Sequence, residues 1–439
     1  MNTSEWINSP KTITKSKKQY AHFDYRTDIA SKGDYITDPI KIAKHGFYPF
    51  IHYEMIMLKY NKDKGLTTKK RDICYAAHID RCIYQYYNYL LNNLYNKRVL
   101  KDDISDVALA YRTDLHKNNI HFAKRAFDFI KKHSSCYVMI GDFTNFFDNL
   151  DHQYLKEQWC SLLEVSRLPE DHYKVFSNIT KYSIWELGDL LKLNNLEDTL
   201  DGRRELNSLK RVLDTTKFKE NKSMIKQNNN SYGIPQGSPI SGQLANIYML
   251  NIDKEINNIV KMLGGLYMRY SDDFIIVLPN IDKNFAIVKI LNIHRLFNSI
   301  PGLSLQPDKT QYFFYCNNGV VNCGNEFQMN ADCRKRFINF LGFTFDGKKV
   351  SIRQKTTSKY YYRMYRKAKT IAKNGGYTAK GKHISGRNLY QRYSIKGAYG
   401  KNGNYISYVL LAKRIFGDNE AVDRDIKNHM QKIRKAIGK

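Results

Sequence analysis

The sequence predicts a mixed α+β fold, and three observations support this prediction. Residues 267–278 are hydrophobic on both sides of Ser271, Asp272 and Asp273, which is typical of two short strands joined by a turn. Elsewhere, segments with apolar residues at helical spacing are interspersed with β-rich segments such as residues 135–141. The 439 residues also suffice for two or three subdomains with a substantial core.

The composition indicates a polyanionic partner. The chain has 71 Lys and Arg against 42 Asp and Glu, a net charge of +29, together with 33 Tyr and 22 Phe. Basic and aromatic residues together suit a surface that follows phosphates and stacks on bases. A ribosome-like or membrane-surface protein would share the charge but would not need the aromatic residues.

The seven cysteines are scattered and odd in number, and no CxxC pair occurs. This pattern predicts reduced thiols and a cytoplasmic location. Residues 1–20 are polar and lysine-rich, unlike a signal peptide, and no apolar segment is long enough to cross a bilayer. We therefore expect no membrane partner.

The N-terminal third is predicted to form a basic layer of mixed structure. We expect a polar, partly ordered arm over residues 1–40, a basic loop over 62–71, and helices over about 73–95 and 119–132. A strand over 135–141 should then end at Asp142, in front of a turn and a helix.

The central part alternates helices with strands. Residues 153–230 are polar with helical periodicity, and Gly and Pro in residues 233–239 enforce a specific loop before a helix that begins near Ser241. Further elements are predicted as a helix over 283–298, a strand over 312–315, and a strand pair formed by 340–345 and 350–352.

The C-terminal part has a distinct composition. Residues 353–417 contain no Asp or Glu but carry 16 Lys and Arg and ten Tyr. A disordered basic tail would have few aromatic residues. The composition therefore favours a helical module that lies on a nucleic-acid duplex.

The turn at Asp272 and Asp273 is the first candidate site. Adjacent carboxylates on a hydrophobic hairpin repel each other and lose water, and a cation would remove that penalty. Hard oxygen ligands suit Mg²⁺. Because Ser and Asp are also common turn residues, an ordinary polar turn is the alternative. Asp142, at the end of its own buried strand, would bring a third carboxylate, the number that two Mg²⁺ ions about 4 Å apart need for phosphoryl transfer.

Five segments in this order resemble the motifs of reverse transcriptases. Motifs A to E correspond to residues 142–148, 233–239, 270–273, 307–310 and 340–345. The resemblance covers about residues 65–350 and is greatest to bacterial enzymes of the group II intron, retron and defence-associated types.

The resemblance implies a right-hand polymerase, with fingers, an α+β palm with an antiparallel sheet, and a helical thumb. On this basis residues 1–134 would form the N-terminal arm and fingers, and residues 135–350 the palm. A helical and finger insertion would span about 153–230, and residues 351–439 would form the basic thumb.

It also implies the roles of the site residues. Asp142, Asp272, Asp273 and the backbone carbonyl of Phe143 would hold two Mg²⁺ ions. Lys309 lies where a general acid for pyrophosphate is expected, although a solvated surface lysine is the alternative.

The nucleotide-binding residues are assigned in the same way. Phe147 lies where the family has a steric gate against the ribose 2′-hydroxyl, although its ring could equally serve core packing. Gln236 and Gly237 would line the pocket of the nascent base pair. The residues near the expected triphosphate and template contacts, each of which could instead contact a backbone phosphate, are Lys70, Arg71, Arg81 and Arg112.

The implied function is RNA-templated DNA synthesis from dNTPs and a DNA primer. No HNH endonuclease, RNase H carboxylate set or Val-Thr-Gly tripeptide of retron enzymes is apparent. This favours a stand-alone, defence-associated enzyme that copies a noncoding RNA. The alternatives are a template-independent or protein-primed DNA polymerase of the same fold, and a non-catalytic RNA-binding scaffold.

Overall fold

The computed structural model describes residues 2–61, 65–317, 319–327, 336–379 and 381–438. The α-helices of these residues are α1 (Thr3–Asn8), α2 (Pro10–Ser16), α3 (Gly33–Ile36), α4 (Pro39–Ala43), α5 (His78–Lys101), α6 (Asn119–Lys132), α7 (His152–Leu163), α8 (Glu170–Thr180), α9 (Leu187–Leu193), α10 (Leu200–Ser208), α11 (Thr215–Glu220), α12 (Ser241–Tyr248), α13 (Leu250–Met262), α14 (Lys283–Asn298), α15 (Gln354–Lys373), α16 (Gly386–Tyr393), α17 (Tyr405–Phe416) and α18 (His429–Ala436).

The strands are β1 (Phe50–Glu54), β2 (Met57–Asn61), β3 (Gly65–Lys69), β4 (Asp72–Tyr75), β5 (Ser135–Asp142), β6 (Ser183–Glu186), β7 (Lys226–Gln227), β8 (Leu266–Tyr270), β9 (Asp273–Pro279), β10 (Gln311–Cys316), β11 (Gly319–Asn322), β12 (Ile338–Phe340), β13 (Phe343–Phe345) and β14 (Val350–Ile352). Short 3₁₀ helices occur at Phe146–Asp148, Lys222–Met224, Pro307–Lys309, Gly324–Phe327, Ile395–Gly397 and Arg424–Ile426.

The chain divides into two compact units that do not follow chain order. Unit 1 comprises Met1–Tyr111, Phe143–Glu255 and Leu296–Ser304. Unit 2 comprises Arg112–Asp142, Ile256–Arg295 and Leu305–Lys439.

Unit 2 is built on an antiparallel sheet with the strand order β11-β10-β5-β9-β8. Two interior strands of this sheet, β5 and β9, are buried along almost their whole length, which explains their continuous apolar sequences. In their register Val138 pairs with Val277 and Ile140 with Ile275. The last residue of β5 and the first residue of β9 therefore lie side by side at one end of a buried apolar sheet.

The basic C-terminal segment of unit 2 is helical, as its composition predicts. After the three-stranded sheet β12-β13-β14, helices α15, α16 and α18 pack around a small apolar core. That core consists of Met364, Ala368, Leu389 and Ile433, which are all buried. The aromatic residues of this segment therefore belong to a packed structure, which a disordered tail would lack.

Unit 1 has its own sheet and core. Its four strands are ordered β4-β1-β6-β7, and β2 pairs with β3 in a separate hairpin. Trp185 is fully buried in an apolar cluster that includes Ile51, Leu190 and Leu206.

Four local predictions differ from the structure. The predicted arm over residues 1–40 contains three helices, of which α1 begins with a capping box at Asn2. In the predicted basic loop over 62–71, β3 forms because it pairs with β2, while residues 62–64 lie outside the described residues. The helix predicted from residue 73 begins only at His78, because residues 72–75 pair with β1 as β4.

The fourth difference concerns residues 340–345, which were predicted as one strand. The backbone turns at Leu341 and Gly342, whose φ angles are 47° and 90°, so the segment divides into β12 and β13. Positive φ is rare for leucine, and no pattern in the sequence signals it. Among the described residues no helix is sufficiently long and apolar to cross a membrane.

Candidate active site

Three carboxylates lie together at one end of the central strands of unit 2. Asp142 is the last residue of β5 and faces Asp273, the first residue of β9, in the antiparallel register. Asp272 occupies the turn between β8 and β9, next to Ser271, whose φ of 62° makes the turn tight. We call Asp142, Asp272 and Asp273 the carboxylate cluster.

Gly141 allows β5 and β9 to pack closely at this end of the sheet. Gly141 pairs with Phe274 in the β5–β9 register. A Cβ atom on residue 141 would overlap the Phe274 ring, so only glycine lets the ring lie against the strand. Packing therefore requires glycine at the position that precedes Asp142.

The carboxylates repel one another. Burial and then the charge of Asp142 raise the pKa of Asp272. Burial, followed by the charges of Asp272 and Asp142, raises the pKa of Asp273 to about 7. Asp273 is nevertheless open to solvent at the end of the strand. The cluster is desolvated enough to favour a cation and open enough to admit one.

Lys309 supplies a positive charge to this cluster. Its Nζ forms an ion pair with Oδ2 of Asp142, and its charge lowers the pKa of Asp272 and Asp273 in opposition to the larger effects. The 3₁₀ helix Pro307–Lys309 holds the lysine there, because the backbone N–H of Gln306 donates to the carbonyl oxygen of Asp142 at 2.8 Å. The lysine side chain is 54% exposed, so it can move.

The donor set fits a divalent metal ion. Oδ1 of Asp142 is buried and has no hydrogen-bond partner among the described residues. An unsatisfied carboxylate oxygen beside two carboxylates of raised pKa is an environment that a hard cation stabilises. No group of three or more His, Cys, Asp or Glu side chains within the described ranges is already arranged as a metal site. For an ion to bind, the Lys309 ammonium would have to leave Oδ2 of Asp142.

A small cavity adjoins Asp273. It measures about 360 Å³ and is lined in part by Tyr270, Asn119 and Arg353. The charge of Arg353 lowers the pKa of Asp273, which shows that the two side chains interact. Arg353 is not among the predicted site residues, because nothing in the sequence distinguishes it from the other basic residues of the C-terminal segment.

Asn119, at the start of α6, was also missed. Its side-chain amide donates to the carbonyl oxygen of Leu341 and to the Tyr408 hydroxyl, both at 3.0 Å. It thus joins three segments of unit 2 that are far apart in the chain. A side-chain amide that bridges distant segments leaves no sequence signal.

The predicted nucleotide-binding residues meet within unit 1. The backbone N–H of Ile234 donates to the carbonyl oxygen of Phe147 at 2.9 Å, and the Gln236 amide donates to Asp148 at 3.1 Å. We call residues 146–148 and 233–237 the nucleotide-pocket loops. The Phe147 ring is half-buried, so it is not simply a core residue. Asp148 has no predicted role, and in the structure it orients Gln236.

The backbone conformation at residue 237 also requires glycine. Its φ is 115°, and a Cβ atom there would overlap the carbonyl oxygen of Cys74. The carbonyl oxygen of Gln236 accepts the N–H of Cys74 at 2.9 Å, so the loop lies directly against β4. Phe143, whose carbonyl is predicted to complete a metal site, has its ring buried in unit 1 against Phe146 and Phe297.

The four basic residues predicted to bind triphosphate or template have structural partners. Lys70 is exposed and pairs with Glu54 at 2.8 Å. Arg81 donates to the carbonyl oxygen of Lys15 at 2.8 Å, and Arg71 pairs through its backbone with Met55. Arg112, in unit 2, is buried and pairs with Asp114 at 2.7 Å. Their contacts with substrate remain predictions.

Comparison with known proteins identifies the class. The family model described as reverse transcriptase (RNA-dependent DNA polymerase) matches residues 61–345. The chain therefore belongs to the reverse transcriptase family, and the predicted right-hand polymerase fold, with its antiparallel palm sheet, is confirmed. A search of curated proteins found no match.

Solved structures with similarity to the chain include yeast telomerases. Apo telomerase from Candida tropicalis truncated from its C-terminal domain has 13% identity and a TM-score of 0.38, with 75% of this chain and 61% of that chain covered. Telomerase from Candida albicans in complex with a TWJ fragment of telomeric RNA has 13% identity and a TM-score of 0.38, with 94% and 66% covered. The chain thus spans under two thirds of the length of both proteins, and so distant a similarity carries no argument about function.

Proposed function

We propose that this protein synthesises DNA from dNTPs on an RNA template. The observation that carries the proposal is the β5–β9 register, in which Asp142 and Asp273 face each other beside Asp272. Membership of the reverse transcriptase family supports the same activity. Asp142, Asp272, Asp273 and the carbonyl of Phe143 would hold two Mg²⁺ ions.

The bound ions would activate the primer 3′-hydroxyl and neutralise the charge of the triphosphate. The other roles belong to the chain's own residues. Lys309 would give a proton to the leaving pyrophosphate, for which its ammonium must leave Asp142. Phe147 would exclude a ribose 2′-hydroxyl, while Gln236, held by Asp148, and Gly237 would line the pocket of the nascent base pair.

The decisive experiment is primer extension by the purified protein with an RNA template, a DNA primer, dNTPs and Mg²⁺. We expect wild-type protein to extend the primer and the double variant Asp272→Ala/Asp273→Ala to lose extension while it keeps RNA binding. Its control is Asp201→Ala/Asp418→Ala, which removes two exposed carboxylates far from the cluster in the chain and is expected to extend normally. Extension by the double variant at the wild-type rate would refute the assignment of the site.

The finer part of the proposal is a cytoplasmic, stand-alone enzyme that copies a noncoding RNA in antiphage defence. It rests on the resemblance to bacterial defence-associated enzymes and on the free cysteines of the described residues. Sequencing of RNA that copurifies with the protein, and of the DNA it makes, tests the template. Phage plating with wild-type and Asp272→Ala/Asp273→Ala strains tests the role, because a defence that needs DNA synthesis is lost in the variant.

The same products separate the alternatives. DNA that matches no RNA in the sample would indicate untemplated synthesis, and DNA that partitions with protein until protease is added would indicate protein priming. A non-catalytic scaffold would keep its function in the double variant and in chelator.

A further inference from the structure

The C-terminal helices of unit 2 enclose a basic cavity of about 710 Å³. It lies between α15, α16 and the segment that leads into α17, and we call it the thumb pocket. Its basic lining residues are Lys359, Arg363, Arg392, Lys396 and Lys401. No Asp or Glu is among the described residues that line it, so no carboxylate of the pocket balances these charges.

The base of the pocket is rigid. The Tyr360 hydroxyl donates to the carbonyl oxygen of Tyr393 at 2.5 Å, and the Tyr405 and Thr357 hydroxyls are 2.9 Å apart. Tyr360 is buried. Because these rings are anchored through their hydroxyls, the pocket exists before any ligand binds.

Side chains, and not a helix terminus, give the pocket its positive character. Asn404 caps α17 by accepting the backbone N–H groups of Ile406 and Ser407 at 2.9 and 3.2 Å. The first amides of that helix are therefore already used. The cations that remain for a ligand lie on α15, on α16 and in the segment before Asn404.

An exposed aromatic ring lies in the same segment. The Tyr399 side chain is 84% exposed and lies between Lys396 and Lys401 in the chain. A large ring so little covered by protein, flanked by two cations, matches the stacking platforms of proteins that bind single strands. Tyr399 belongs to the segment that forms one wall of the pocket but is not itself a lining residue, and the aromatic residues that do line the pocket, Tyr360, Tyr393 and Tyr405, are at least partly buried.

We propose that the thumb pocket binds a single strand of nucleic acid, with phosphates held by Lys396 and Lys401 and a base stacked on Tyr399. The volume falls in the range of sites for small ligands, which accommodates about one or two nucleotides of a flexible strand and no double helix. The site is separate from the carboxylate cluster and needs no Mg²⁺. RNA and DNA strands share the required chemistry, and the experiment compares them.

The test is fluorescence anisotropy of labelled 12-nucleotide RNA, the same DNA sequence and an RNA duplex, all in EDTA. Without Mg²⁺ there is no synthesis, so the result is independent of the proposed polymerase activity. We expect Lys396→Gln/Lys401→Gln to bind the single strands about tenfold more weakly than wild type. The slope of log affinity against log salt should fall by about 1.4, which corresponds to two phosphate contacts.

The matched control is Lys369→Gln/Lys382→Gln, which removes the same charge from exposed positions of unit 2 outside the pocket lining. It should change the affinity less than threefold. Tyr399→Ala should weaken single-strand binding about fivefold or more with an unchanged salt slope, because it removes stacking and no charge. Tyr362→Ala, another exposed tyrosine of unit 2, is its control and should have little effect.

Three outcomes would overturn the proposal. The first is an equal loss of affinity in the pocket variant and in the Lys369/Lys382 control. The second is a loss of duplex binding as large as that of single strands, which would mean a surface for double helices. The third is competition by inorganic polyphosphate as effective as that by RNA, which would mean a site for any polyanion. Lys→Gln changes at exposed positions should disturb the fold little. A circular dichroism spectrum equal to that of wild type would exclude misfolding as the cause of weaker binding.

Discussion

The carboxylate cluster in unit 2 and the nucleotide-pocket loops in unit 1 place their residues by different means. In the carboxylate cluster, strand register aligns Asp142 with Asp273, and the resulting repulsion is partly balanced by Lys309. In the nucleotide-pocket loops, position depends on backbone hydrogen bonds and on Gly237 in a conformation that only glycine adopts readily.

Because the two sites are held together differently, they should respond to different changes in conditions and in sequence. A site made of neighbouring charges should respond to pH, metal ions and the loss of one counter-charge. A site held mainly by backbone contacts should respond less to these variables and more to a single added methyl group. The predictions below test this contrast, in order of decreasing effect.

The largest effect is expected from Gly237→Ala. The new Cβ would meet the Cys74 carbonyl oxygen at a φ of 115°, so the loop must shift or the backbone must strain. We expect the free energy of unfolding to fall by about 2–4 kcal/mol, with extension lost at all pH values. Urea unfolding measures the first effect and primer extension the second.

Gly188→Ala is the matched control for this change. No atom lies within 4 Å of the Cβ position at residue 188, so the substitution should leave stability and extension nearly unchanged. Equal unfolding free energies for the two alanine variants would contradict the role given to Gly237.

Lys309→Met should reduce extension about 100-fold, because it removes both the expected proton donor and the counter-charge of Asp142. The same variant should melt at a lower temperature in EDTA, since one repulsion in the cluster is then unbalanced. Lys309→Arg separates the two roles. It keeps the charge and the melting temperature but donates protons poorly, so only extension should fall. An active arginine variant would exclude proton donation.

The pH dependence of stability should show the repulsion directly. The pKa of Asp273 is raised from 3.8 to about 7, so between about pH 4 and pH 7 the folded state holds more protons than the unfolded state. In EDTA the contribution of Asp273 to the free energy of unfolding should therefore fall as the pH rises through this window, in opposition to buried histidines of lowered pKa such as His22 and His294. Mg²⁺ affinity should rise over the same range, because metal binding requires the ionised carboxylate.

Asp273→Asn should flatten the part of this dependence that comes from residue 273. Thermal unfolding at pH 5 and pH 8, with and without Mg²⁺, measures it. The difference in unfolding free energy between wild type and Asp273→Asn isolates this contribution, and an identical pH dependence of the two proteins in EDTA would show that Asp273 does not carry the proposed repulsion.

The smallest effect is expected from Phe147→Val. Its half-buried ring should be replaceable with little loss of stability, but the smaller side chain should admit a 2′-hydroxyl. We expect the preference for dNTPs over rNTPs to fall about tenfold or more. Phe50→Val, a change of a buried ring in β1 outside these loops, is the control, and it should lower stability without changing that preference.

The sequence predicts the elements that arise from local patterns. The hairpin around Asp272 and the helix over residues 283–298 are where periodicity places them, because their apolar residues alone specify the buried faces. The antiparallel sheet that joins Asp142 to this hairpin was also expected, and its register is now known.

The remaining features depend on partners that are distant in the chain. Residues 65–69 form a strand only because β2 lies beside them, and Gly141 is needed only because of Phe274. The bond between Gln236 and Asp148 joins two motifs that the sequence treats separately. Such pairs have no periodicity, so one sequence without its three-dimensional structure does not reveal them.

The bridge made by Asn119 has a mechanical consequence. Both hydrogens of its amide are engaged, one with the turn at Leu341 and one with Tyr408 of α17. A displacement of α17 therefore leaves either a strained amide or an unpaired donor next to a leucine with a φ of 47°. Because Leu341 also lines the cavity beside Asp273, this single amide links the position of α17 to the shape of that cavity.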